Sequence, residues 1–116
     1  MTVYHPQNSK LGNKWINIGF LGWNGVISGI NEHQLAISQI GVEYFDESWG
    51  KASRIGNVFT YLLRDILQYD TTLDLAIDRM QKTRRTCYNL LGIGDGKAKT
   101  FRGFQYSHSA LNIVSD

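Results

Sequence analysis

The residue types that could do chemistry concentrate between Arg84 and Tyr106. The run opens on a cation pair, Arg84-Arg85. It then holds the chain's only cysteine, Cys87, and Asn89, a polar residue placed just before the apolar Leu90-Leu91. A thiol becomes a nucleophile once deprotonated. Free cysteine is also among the most buried residue types, so Cys87 is expected to be an inert thiol inside a strand rather than a nucleophile. Arg85 could hold a substrate carboxylate or a nearby acid, and a solvated charge at a strand end is the plainer expectation. A strand that carries cationic and polar groups into a sheet is a candidate for building a site.

These residues must be positioned by a hairpin. Two strand-like runs, Arg84 to Ile93 and Ala98 to Tyr106, flank Asp95-Gly96. That pair tolerates the positive φ values of tight hairpin turns. Gly-Ile-Gly-Asp-Gly at 92–96 is not a phosphate loop, because no Gly-Lys-Ser/Thr follows and no helix begins there.

Upstream, period two predicts a strand over 14–21, with Ile16, Ile18 and Phe20 on one face and Trp15, Asn17 and Gly19 on the other. Gly22 to Gly25 supply a turn. Strands follow over 26–30 and 35–44, the latter with Ala36, Ser38, Ile40 and Val42 sharing a face. The stretch 45–56 reads as a loop. The period then changes. Val58, Leu62 and Asp65, with Phe59, Leu63 and Ile66 beside them, form a wide apolar stripe that predicts a helix over 57–68. Thr71 and Asp74 resemble a capping box, and a second helix is expected over 73–82, burying Leu73, Ala76, Ile77 and Met80. Residues 1–14 look loose, and those after His108 carry no signal. Segregated strands and helices argue for an α+β fold in a single domain or part of one, with Leu62, Ile66, Ala76 and Met80 packed on a sheet that contains Ile37 and Leu91.

Composition narrows the function. At 116 residues with net charge +2 and interspersed charges, the chain has no nucleic-acid or membrane-surface footprint. A single cysteine forms no intrachain disulfide, and no Cys/His set has zinc spacing. The chain therefore presents no metal site and no cofactor motif. No apolar run approaches a membrane span, and residues 1–10 lack the apolar core of a signal peptide. His33 in a turn and Arg64-Asp65 on a helix are expected to be solvated or to form a surface ion pair. Trp15, Trp23 and Trp49 could wall an acyl pocket, although packing is the commoner use of tryptophan.

Three ordered stretches carry a resemblance: Ser28 to Ser38 (Ser-Gly-Ile-Asn-Glu-His-Gln-Leu-Ala-Ile-Ser), Phe59 to Gln68 (Phe-Thr-Tyr-Leu-Leu-Arg-Asp-Ile-Leu-Gln), and Arg85-Thr86-Cys87 through Gly94-Asp95-Gly96-Lys97. Together they resemble the penicillin acyltransferase-like family, including its acid-ceramidase-like members, over roughly 13–108. The resemblance implies an N-terminal nucleophile hydrolase with an αββα sandwich, of which this chain would be a portion: three strands, two helices and a β-hairpin. It implies cleavage or transfer at the carbon–nitrogen bond of an N-acyl substrate. In such proteins an N-terminal cysteine attacks, and its own α-amine, which titrates near neutrality, takes the thiol proton. It further implies an asparagine, on the strand after the helix pair, that donates to the oxyanion. Asn89 is the asparagine in that strand, with Arg85 a weaker catalytic candidate. Asn89 is expected to face a cleft near Trp15 or Asn17.

The departure from the pattern is the nucleophile. No cysteine precedes Cys87, so the chain reads as an incomplete member, inactive alone, whose partners are a small N-acyl molecule and the remaining part of a parent chain. The alternative is a non-catalytic remnant or binding module.

Overall fold

The computed structural model describes residues 1–43 and 45–115. Its frame is one antiparallel sheet whose seven strands lie in chain order. They are β1 (Thr2–Tyr4), β2 (Trp15–Ile18), β3 (Ser28–Asn31), β4 (Leu35–Gly41), β5 (Asn89–Asp95), β6 (Thr100–Tyr106) and β7 (Leu111–Val114). Two helices, α1 (Phe59–Tyr69) and α2 (Leu73–Lys82), connect β4 to β5. The longest ladders sit at the centre, where β5 pairs along its whole length with β4 and with β6.

This architecture overturns the expected fold. The described residues form a mostly β domain with one sheet and two helices, not an α+β portion of an αββα sandwich with three strands and a hairpin. Two strands went unread because they are edges. β1 has three residues and pairs only with β2, so tertiary pairing rather than local propensity makes it a strand. β7 follows a tight reversal in which Ser107 N–H donates to the Ala110 carbonyl at 2.8 Å. The strand expected over 35–44 ends at Gly41, and Tyr44 lies outside the described residues.

The helices form for the expected reasons. Leu62, Leu63, Ile66 and Leu67 recur with helical period and make the buried stripe of α1. α2 is capped by Thr72, whose hydroxyl accepts from Leu75 N–H at 3.3 Å, one residue later than the Thr71–Asp74 pairing suggested. Asp74 near its start and Arg79 and Lys82 near its end suit the helix dipole. The core is the interface of both helices with one face of the sheet. Leu62, Ile66, Ala76 and Met80 cover Ile37 and Leu91, all buried, as the sequence predicts. Each fully buried aliphatic side chain of this kind contributes about 1.5–3 kcal/mol.

Alternation sorts the strands into two faces. Trp15, Asn17, Leu35, Ile37, Asn89, Leu91, Ile93, Phe104 and Tyr106 turn towards the helices and are buried. On the opposite face, cross-strand rows run unbroken. One row is Val3–Ile16–Ile30–Ala36–Gly94–Phe101. A second joins Ser38–Gly92–Gly103–Val114, and a third Ile40–Leu90–Gln105–Asn112. Among the described residues, no helix covers that face.

Candidate functional site

Strand β5 begins only at Asn89, so the segment that leads into it is not a strand. It is sewn to the loop before α1. Asn57 N–H donates to the Arg84 carbonyl at 2.8 Å, Thr86 Oγ1 to the Asn57 carbonyl at 2.9 Å, and Cys87 N–H to the Ser53 carbonyl at 3.3 Å. These ties hold Cys87 at φ 64°, a left-handed conformation uncommon for residues other than glycine. Its thiol is exposed. The expectation of a buried thiol in mid-strand is therefore corrected, and long-range bonds to the 53–57 loop are the cause.

Arg85 turns the other way. Its guanidinium is buried and donates to three carbonyls: Ser107 at 2.8 Å, Met80 at 2.8 Å and His108 at 3.4 Å. The His108 ring nitrogen Nδ1 lies 2.9 Å from the Arg85 carbonyl. Arg85 thus joins the end of α2 to the end of β6 and is not a solvated charge. Burial pulls its pKa down, against the influence of Tyr106, whose ring lies 5.8 Å from the guanidinium carbon. Every donor assigned to it goes to main-chain oxygen, which leaves it a structural staple.

Asn89 and Cys87 do come together. Both line an open groove of about 830 Å³ at the end of the sheet where the helical layer stops, beside the first residue of α1, Phe59. Phe20, Trp23 and Ile27 supply the apolar wall, with Phe20 and Trp23 packed edge to face at 6.5 Å between centroids. Tyr88 is fixed at the rim. It donates to the Gly50 carbonyl at 3.2 Å, accepts from Ala52 N–H at 2.9 Å, and stacks on Phe45.

Two polar atoms of this groove are buried without a hydrogen-bond partner among the described residues. They are Asn89 Nδ2, a donor, and Gln39 Oε1, an acceptor. Asn89 is 1% exposed, and its Nδ2 has no partner among the described residues. Its cross-strand neighbour Tyr106 is wholly buried, and burial pushes that phenol up to about 12, keeping it neutral; the Thr86 backbone and Arg85 pull weakly the other way.

The position of Asn89 differs from the one expected. It lies on the helix-facing side, and β2, which carries Trp15 and Asn17, is three strands away. Trp15 packs in the core against Tyr4, and Asn17 Nδ2 donates to the Gly25 carbonyl at 3.2 Å. Of the tryptophans, Trp15 is core and Trp23 is groove wall. Arg64 and Asp65 form a surface pair at 2.7 Å. Sequence reasoning missed Gln39, although the signal was present: it continues the buried alternation of Leu35 and Ile37 with a polar side chain.

No family model matches the chain. It is similar to two Dictyostelium discoideum proteins, dcd1A (28% identical over 98% of this chain) and dcd1B (28% identical over all of it). The chain spans about a quarter of the length of these relatives, 26% and 22% respectively. Among the described residues, no helix is long and apolar enough to cross a membrane, and no group of three or more His, Cys, Asp or Glu side chains could hold a metal ion.

Proposed function

We propose that this chain forms the amide-recognising part of an amidase or acyltransferase that acts on the carbon–nitrogen bond of N-acyl substrates, with the nucleophile supplied from outside these residues. One observation carries the reading: an unpartnered donor, Asn89 Nδ2, and an unpartnered acceptor, Gln39 Oε1, share one groove with an apolar wall. A secondary amide offers the complementary pair, a carbonyl that accepts and an N–H that donates. The acyl chain lies along Phe20, Trp23 and Ile27. When a nucleophile attacks the carbonyl, charge develops on the oxygen facing Asn89, and a fixed neutral donor stabilises it without supplying a competing proton. The resemblance of the Ser28–Ser38, Phe59–Gln68 and Arg85–Lys97 stretches supports a cysteine nucleophile with its own α-amine as base. Its source would be the rest of a parent chain.

A matched pair of ligands tests this: N-dodecanoyl ethanolamine and its oxygen isostere, the dodecanoate monoester of ethylene glycol. Titration calorimetry should show the amide binding about tenfold or more tightly, because the ester leaves Gln39 Oε1 unpaired. Gln39→Met should erase the preference, and no turnover should accompany binding. Equal affinities would overturn the reading. Hydrolysis of the amide that disappears in Cys87→Ala would instead assign the nucleophile to Cys87.

A further inference from the structure

Two residues of the Asn/Asp type precede a glycine in this chain, giving Asn24-Gly25 and Asp95-Gly96. Such pairs are chemically labile. The glycine nitrogen can attack the side-chain carbonyl carbon of the residue before it, because no Cβ stands in the way. The attack needs a free side chain and a nitrogen whose proton is not held in a hydrogen bond. Asp95-Gly96 meets neither condition. Asp95 is 3% exposed, and its carboxylate accepts from the N–H groups of Leu73, Lys97 and Ala98 at 3.3, 3.0 and 3.2 Å. Gly96 N–H donates to the Gln34 carbonyl at 3.0 Å.

Asn24-Gly25 meets both. Asn24 is exposed, on the loop between β2 and β3. Gly25 N–H donates to no acceptor among the described residues. The loop is nevertheless tied on either side of the pair. Trp23 N–H donates to the Phe20 carbonyl at 3.2 Å, and Val26 N–H to the Thr60 carbonyl at 2.9 Å. Packing also requires the glycine. Gly25 has φ 87°, and a Cβ there would lie 2.6 Å from the carbonyl carbon and oxygen of Thr60. The contact of this loop with α1 therefore keeps an unshielded nitrogen next to Asn24.

We propose that Asn24 is a modification site, deamidated without an enzyme through a ring closed by the Gly25 nitrogen. That nitrogen gives its proton to solvent and bonds to Asn24 Cγ. The Cγ–Nδ2 bond breaks, and the leaving nitrogen takes a proton from water and departs as ammonia. Water then opens the succinimide. Cleavage at Cγ gives aspartate. Cleavage at the main-chain carbonyl gives isoaspartate, whose main chain runs through the former side chain and is longer by a carbon. Either product makes the net charge of +2 one unit more negative. The new carboxylate sits beside Trp23, on the loop that walls the groove. The isoaspartyl form also lengthens a segment already in close contact with Thr60.

Incubating the folded chain in mildly alkaline buffer at physiological temperature tests this, with ion exchange and peptide mass spectrometry as readouts. A growing, more acidic fraction should carry the mass change of an amide converted to an acid, confined to the peptide that holds Asn24. Fragmentation should resolve it into aspartyl and isoaspartyl forms. Asn24→Gln, which can close only a larger and slower-forming ring, should abolish the fraction. The rate should fall within about tenfold of that in a synthetic peptide of residues 20–27. A folded chain slower than that limit would overturn the proposal, because the fold would then be shielding the pair. Isomerisation at Asp95-Gly96 as fast as the change at Asn24 would overturn it too, since engaged groups would offer no protection.

Discussion

The helix-covered face of the sheet holds amide side chains towards both of its ends, and Asn31 is partnered in the opposite way to Asn89 and Gln39. At the end near α2, Asn31 uses its whole amide. Its Nδ2 donates to the carbonyls of Leu67 and Asp70 at 3.0 and 2.8 Å, and its Oδ1 accepts from the N–H groups of His33 and Leu35 at 3.0 and 3.1 Å. Asp70 takes a two-point pair from Arg79 at 2.7 and 2.8 Å. Asp95 accepts from Leu73, Lys97 and Ala98 N–H. At the other end, the buried atoms Asn89 Nδ2, a donor, and Gln39 Oε1, an acceptor, have no partner among the described residues. A saturated buried amide ends a helix and turns a hairpin. An unsaturated one costs free energy in the empty protein and regains it when a ligand binds.

Three substitutions of fully partnered polar side chains should break the fold in descending order. Asn31→Leu removes four hydrogen bonds and strands helix-end carbonyls; urea unfolding should show a loss of about 3 kcal/mol. Arg85→Met leaves the carbonyls that joined α2 to β6 without their donor and should cost about 2 kcal/mol. It should leave the amide-over-ester preference unchanged, which separates a staple from an anion holder. Asp95→Asn acts through pH. Burial alone would raise the Asp95 pKa, but the N–H groups of Ala98, Leu73 and Lys97, with the Lys97 charge, outweigh it and hold the carboxyl below its ordinary value. The unfolded chain therefore takes up the proton first. The stabilisation is complete above the ordinary carboxyl pKa of about 4 and is lost as pH falls through the lower folded value. Acid titration of stability should show that descent in the native chain and a flatter profile in Asp95→Asn.

The saturated end was the legible one. α2 was bounded correctly at 73–82 because a threonine cap and a clean apolar period mark it locally, and Asp95-Gly96 announced the hairpin. Edge strands β1 and β7 were not legible, since each is made by pairing with one neighbour rather than by its own pattern. The sandwich expectation failed for a related reason: alternation says which side chains share a face, not whether another layer covers it. At the site, Asn89 was singled out from sequence, but its environment depends on where α1 begins. The exposure of Cys87 depends on a positive φ imposed by a loop more than thirty residues upstream. No local pattern encodes that.

The smallest expected effect on stability is the most informative. Asn89→Leu replaces a buried amide by an apolar group of similar size at a position where the donor has no partner. If Asn89 were structural in the way Asn31 is, the change would cost kilocalories. Because its Nδ2 bonds nothing, the unfolding midpoint should shift by less than about 0.5 kcal/mol, or rise slightly, as the desolvation penalty of an unsatisfied donor disappears. The same variant should lose binding of the N-acyl amide, since the carbonyl would then face a methyl group. The paired result, unchanged stability with lost binding, belongs to a recognition residue. Destabilisation comparable to Asn31→Leu would place Asn89 among the architectural amides and remove the distinction between the two ends. Unchanged binding would remove Asn89 from the site while leaving Gln39 to be tested by its own substitution.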